Sequence, residues 1–143
     1  GRGHKISKEQ IVGLVVALEI FVREGDAVYA DQLAMAERFL KELRDLPQLE
    51  VTIVPNDETF HEHLVVPHVP RVLLQWDAKA LGLSAKDLDA AMAQDDPPVF
   101  LRSAVYFNYY TNKEWRLIDT FCLRQGEDDI VLERLKKVFS KKH

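Results

Sequence analysis

Between Ser7 and Gly25 the chain carries an almost unbroken apolar run, Ile11-Val12-Gly13-Leu14-Val15-Val16-Ala17-Leu18-Glu19-Ile20-Phe21-Val22, which constrains the fold more than any other segment. Interrupted by Gly13 and Glu19, the run falls short of the roughly 20 apolar residues a helix needs to cross a bilayer. No membrane span is expected. Ser7 and Gln10 have capping-box spacing ahead of the run, and Gly25 is placed to close it as a C-cap. Val12, Leu14, Val15, Val16, Leu18, Ile20, Phe21 and Val22 point in nearly every direction around such a helix. A surface helix of a small domain carries one apolar stripe, so this one needs cover on most sides. Two covers are open: the helix forms the centre of the chain's own core, or a domain or partner outside the chain buries it.

The remainder alternates helix and strand signals. Asp26 is placed to cap a second helix through Leu46, with Val28, Leu33, Met35, Ala36, Phe39, Leu40 and Leu43 as its apolar stripe and Pro47 as its stop. Leu49–Val54 and Pro70–Trp76 read as strands. Ser84 with Asp87 restarts a helix through Met92, closed by Asp95-Asp96-Pro97-Pro98. Val99–Tyr106 and Arg116–Phe121 read as a hairpin, with a turn at Asn112-Lys113. A last amphipathic helix uses Ile130, Val131, Leu135, Val138 and Phe139, and Lys136 and Lys137 suit its negative end. The predicted order is α-α-β-β-α-β-β-α. Short connections between consecutive strands favour an α+β fold with an antiparallel sheet and helices on one side.

The 143 residues suit a single domain, divided into a junction segment with the long apolar helix (1–25) and an α+β body (26–143). Lys and Arg number 19 against 23 Asp and Glu, a net charge of −4, so the broad positive footprint of a nucleic-acid binder is absent. A single cysteine, Cys122, allows no internal disulfide and points to a reducing, cytoplasmic compartment. The chain opens on Gly1 rather than Met with no signal-peptide pattern, which leaves a processed chain, a fragment of a longer one, or a purification scar at its front as the open readings.

Each candidate for chemistry also has a plain structural reading. His61, His63 and His68 crowd one segment and are zinc-competent in type, but turn signals surround them and no cysteine is near. A solvated loop is expected there, and no metal. A small metal-binding protein using all three is the outlying possibility. Cys122, beside Phe121 and Leu123, reads as a buried structural thiol at a strand end. Asp95-Asp96 and Asp128-Asp129 fall at helix ends, where capping and dipole effects account for them. Trp76, Trp115, Tyr106, Phe107, Tyr109 and Tyr110 read as core and hairpin packing. Two basic features stand out. Gly1-Arg2-Gly3-His4-Lys5 precedes a helix N-terminus, where anions bind readily, or else it is a frayed end. Arg102, after the rigid Pro97-Pro98, could present a two-pronged donor to a carboxylate or phosphate, or be an ordinary strand charge.

Three stretches carry a resemblance, in this order. They are Gly1-Arg2-Gly3-His4-Lys5-Ile6-Ser7-Lys8-Glu9-Gln10-Ile11-Val12-Gly13-Leu14, then Pro97-Pro98-Val99-Phe100-Leu101-Arg102, then Leu117-Ile118-Asp119 through Gly126-Glu127-Asp128-Asp129 to Leu135. Together they resemble the C-terminal part of the selenocysteine synthase-like pyridoxal-phosphate enzymes of fold type I. That group includes L-seryl-tRNA selenium transferase and D-glucosaminate-6-phosphate ammonia-lyase. Gly3 and His4 replace the family's Pro and apolar residue, and Thr120-Phe121-Cys122 follows Asp119 where selenocysteine synthases carry Leu-Arg-Thr. The resemblance therefore implies a lyase or transferase acting on a small amino acid or amino-sugar acid rather than selenium transfer to tRNA.

The same resemblance implies that this is a small domain closing over an active site, its partners being its own large domain, a small-molecule substrate and a second copy in a homo-oligomer. Pyridoxal 5'-phosphate would be held mainly by the large domain, which would also carry the Schiff-base lysine. No lysine here sits in the matching motif, so the chain alone is expected to be inactive. Arg102 aligns with the family's small-domain arginine and is the candidate for the substrate anion. Arg2 and Lys5 align with the opening basic pair, and with His4 between them they would line the entrance. The alternative is a stand-alone α+β module that binds a partner or oligomerises through its apolar helix.

Overall fold

The capping box at the start of the first helix forms as its spacing predicts. In the computed structural model, which describes residues 6–54, 69–103 and 113–140, the Gln10 amide donates to Ser7 Oγ at 3.2 Å and the Ser7 amide donates to Gln10 Oε1 at 2.9 Å. The helix this opens, α1 (Lys8–Leu43), does not stop at Gly25. Gly25 lacks the left-handed conformation that Gly82 and Gly126 adopt, and Asp26 lies inside the helix rather than capping a second one. The two predicted helices are one. Nothing between Arg23 and Ala27 breaks a helix outright, and an interior glycine costs only about 1 kcal/mol relative to alanine. A Cβ added at Gly25 would meet Phe21 ring atoms at 3.7–3.9 Å, an ordinary contact. Gly25→Ala should therefore raise stability by about 1 kcal/mol, read as a higher midpoint when helix ellipticity is followed on heating. A lower midpoint would show that the glycine serves close packing.

The chain forms two compact units, Gly1–Asp31 and Gln32–His143. In the first, the apolar run is exposed: the large apolar side chains from Ile11 to Val22 show 43–82% of their surface.

In the second unit the last turns of α1 bury Ala36, Phe39 and Leu43. Pro47 follows the helix end, Gln48 adopts φ 62°, and the chain turns into β1 (Leu49–Val54). β1 pairs antiparallel with β2 (Arg71–Trp76), and β2 with β3 (Glu114–Asp119), in the order β1-β2-β3. Between β2 and β3 lie α2 (Ala78–Leu81) and α3 (Ala85–Ala93). Asp77 caps α2 by accepting from the Lys79 and Ala80 amides at 2.8 and 3.1 Å. Ser84 and Asp87 form the predicted reciprocal box of α3. A 3-10 turn (Thr120–Cys122) follows β3, and α4 (Glu127–Phe139) closes the unit.

Partners in the register share a face, so Leu49, Val51, Ile53, Val72, Leu74, Trp76 and Ile118 look one way. That face takes the helices: Phe39 and Leu43 of α1, Leu88 and Met92 of α3, and Val131, Leu135 and Phe139 of α4 pack on it. The opposite face carries a smaller cluster of Val54, Leu73 and Leu117 with Trp115 against it. The result is the expected α+β fold with an antiparallel sheet. Charged pairs tie the layers. Arg38 pairs with both Asp128 and Asp129 at the start of α4, and Arg116 grips Asp89 of α3 with Nε and Nη2 at 2.8 and 2.6 Å.

The described part of the predicted strand Val99–Tyr106 is not a strand and makes only an isolated bridge, Arg102 to Leu117. Its partner also ends early. β3 stops at Asp119, and the turn after it leaves Phe121 and Cys122 exposed, which corrects the reading of Cys122 as a buried strand thiol. The predicted turn Asn112-Lys113, the aromatics Tyr106, Phe107, Tyr109 and Tyr110, and His61, His63 and His68 lie wholly or partly outside the described residues. Among the described residues no helix is long and apolar enough to cross a membrane.

Candidate functional site

Two strand ends and a bridge bring three charges together. Arg71, the first residue of β2, stands directly opposite Asp119, the last of β3. The Arg102 amide donates to the Leu117 carbonyl at 3.0 Å, and the Leu117 amide returns a bond to the Arg102 carbonyl at 2.9 Å. This exchange fixes position 102 beside position 117 and, because side chains alternate along β3, on the same face as Asp119. The carboxylate then joins both arginines. Arg71 Nε donates to Asp119 Oδ1 at 2.5 Å, and Arg102 Nη1 donates to Oδ2 at 2.8 Å.

The two partners of Asp119 differ in exposure. Arg71 and Asp119 side chains each retain 13% of their surface, whereas Arg102 retains 53%. Hydrogen bonding to Asp119, helped by its charge, raises the Arg102 guanidinium above its ordinary pKa, so the group stays cationic at any physiological pH. Two cations on one carboxylate leave one net positive charge. Just beyond Asp119, Thr120 Oγ1 donates to the Pro70 carbonyl at 2.6 Å, which pins the turn to the start of β2 and holds Arg71 and Asp119 in step.

Arg102 and Asp119 border a cavity of about 320 Å³, lined otherwise by apolar side chains including Val99, Leu101, Leu117 and Leu123, with Cys122 also on its wall. That volume is at the small end of those that hold small molecules. The segment carrying Arg102 is held from behind. The Met92 carbonyl, at the end of α3, accepts from the Val99 amide at 3.1 Å and from Arg134 Nη1 at 3.0 Å. Chemically, the arrangement can offer a fixed guanidinium to an anion at the edge of a mostly apolar hollow.

Of the residues singled out in the sequence, Arg102 is placed here. Arg2, His4 and Lys5 lie outside the described residues. Arg71 and Asp119 were not singled out as site residues. Nothing in the sequence shows that the start of one strand meets the end of another, because register is a tertiary fact. Among the described residues there is no cluster of three or more His, Cys, Asp and Glu side chains arranged to hold a metal. No described lysine lines the cavity, and none is buried.

No protein-family model and no curated protein matches the chain. Among solved structures, D-glucosaminate-6-phosphate ammonia-lyase is similar to it with a TM-score of 0.60 at 23% sequence identity. The chain has the fold of part of that enzyme. The match takes in 99% of this chain but 34% of the other, so the chain spans about a third of that enzyme's length. The likeness read from the three sequence stretches is met at the level of fold, and the α-helical cover on one side of an antiparallel sheet is part of it.

Proposed function

We propose that this chain is the small domain of a pyridoxal-phosphate lyase or transferase acting on a small amino acid or amino-sugar acid. The observation that carries the proposal is the fold match over 99% of the chain to about a third of an ammonia-lyase. The exposed apolar helix supports it as well, since Ile11 to Val22 present the kind of surface that a neighbouring domain covers. In this reading the cofactor is bound by the large domain and supplies the electron sink for bond breaking at the substrate carbon. The residues of this chain do the positioning. Arg102 binds the carboxylate or phosphate of the substrate, Arg2, His4 and Lys5 line the approach, and closure of the domain excludes water.

A second reading is favoured by the same exposed helix: an oligomerisation module without catalysis, in which a second copy covers the apolar surface. One experiment separates them. The polypeptide encoded by the whole gene is purified with pyridoxal phosphate and assayed for release of ammonia from D-glucosaminate 6-phosphate and from small amino acids. Absence of bound cofactor favours the module. With cofactor bound and turnover detected, Arg102→Ala should lower kcat/KM at least tenfold, about 1.4 kcal/mol. Unchanged kinetics would remove Arg102 from the site.

A further inference from the structure

We infer that Asp119, clamped by Arg71, is a positioning residue: it holds the Arg102 guanidinium in one orientation so that its remaining N–H groups face an incoming anion. The inference rests on the reading of Arg102 as an anion-binding residue and adds what holds that arginine in place. A half-exposed arginine on a short bridge would ordinarily sample many rotamers, and an anion would have to order it at the moment of binding. Here the cost is already met. The Arg102 backbone is fixed by two hydrogen bonds to Leu117, and its Nη1 is fixed by Asp119 Oδ2. The other carboxylate oxygen is held by Arg71 Nε, and the chain beyond it is held by Thr120 on Pro70. Because Arg71 offsets the charge of Asp119, the carboxylate can orient Arg102 without neutralising the site. The ligand class is a carboxylate or phosphate monoanion or dianion, met by a guanidinium edge.

The alternative role for Asp119 is that of a resident counter-ion which an anion must displace, and the two roles differ in sign. Removing a competing negative charge tightens anion binding, whereas removing an orienting group weakens it. The 143-residue chain is titrated at low salt with inorganic phosphate and separately with acetate, followed through the Arg102 Nε–H resonance and neighbouring amides. Asp119→Asn keeps the shape and removes the charge. The expected result is at least fivefold weaker binding of both probes, with Arg71→Gln weakening it in the same direction. Unchanged or tighter binding in Asp119→Asn overturns the inference.

Arg102→Ala separates this inference from the one beneath it. If that variant binds both probes as the parent does, or if the parent gives no saturable shift, the anion-site reading falls and the positioning role with it. If Arg102→Ala weakens binding and Asp119→Asn does not, only the positioning role falls. Should Asp119→Asn fail to fold, the parent chain still decides the matter. Rotation about the Arg102 Nε–Cζ bond is expected to be slowed at least fivefold relative to the exposed Arg124. A guanidinium at position 102 that rotates as fast as that of Arg124 would overturn the proposal.

Discussion

Trp76→Ala is expected to lose about 4–5 kcal/mol of stability, a large fraction of the roughly 5–15 kcal/mol that holds a domain folded. The ring is 1% exposed and ends β2 where the sheet meets two other elements. Its indole N–H donates to the Leu83 carbonyl at 2.7 Å, which fastens the stretch after α2 to the sheet. Its ring meets the Phe139 ring of α4 in a T-shaped pair, with centroids 5.6 Å apart and planes at 81°. Truncation to alanine leaves a cavity large enough to cost about 3–5 kcal/mol, and the unpaired carbonyl adds to it. Trp76→Phe retains most of the volume and the aromatic contact while giving up the hydrogen bond, so it should cost about 1–2 kcal/mol. Urea unfolding of the three proteins tests this, provided the slopes agree. A loss below about 1.5 kcal/mol for the alanine variant would mean that the core closes over the vacancy.

Arg134→Ala comes second, at about 3 kcal/mol. Arg134 sits in the middle of α4 with 7% of its surface exposed, an unusual place for a cation. The structure shows its use. Nη1 donates to the Met92 carbonyl at the C-terminal end of α3, where the helix dipole favours positive charge. Nε lies 3.9 Å from Asp95 Oδ2. A hydrogen bond from a charged donor contributes about 1.5–3 kcal/mol, and the aliphatic stem contributes packing beyond that. Arg134→Met restores the stem without the charge, so it should recover about half of the loss. Equal losses for alanine and methionine would assign the whole effect to the hydrogen bond. The Met92 carbonyl also anchors Val99, three residues before Arg102. Arg134→Ala should therefore loosen the site as well as the fold, seen as faster amide exchange at Val99 and Arg102.

Local signals in the sequence carried most of the second unit. The Ser84–Asp87 capping box, the alternation of Leu49–Val54, the β-rich run ending at Trp76, and the stripe Val131, Leu135, Val138 and Phe139 each involve residues a few positions apart. The forces that set them act over the same distance. Gly25 misled because glycine has two roles, helix end and tolerated interior residue, and which one wins depends on whether the chain beyond it continues to favour helix. The strand predicted from Val99 onward ran ahead of its partner. Alternating apolar residues permit a strand, but a second strand must supply its hydrogen bonds, and β3 supplies them only at Leu117.

The site was legible in part. Arg102 stood out because Pro97-Pro98 precedes it and because it falls in a stretch resembling a known family. Its partners did not stand out. Asp119 is 17 residues away and Arg71 is 31, and neither sits in a pattern that announces an ion pair.

What the sequence determined by itself was β1, β2, α3 and α4 of the second unit, the apolar stripe of α4, and the presence of an apolar helix that demands cover. Those follow from periodicity and capping, which are properties of neighbouring residues. Only the tertiary structure decided that one helix runs from Lys8 to Leu43, that Arg134 is buried at the end of α3, and that Arg71, Asp119 and Arg102 meet. Strand register and helix packing bring together groups distant in the chain, and it is their mutual desolvation and charge, absent from any local window, that select the arrangement.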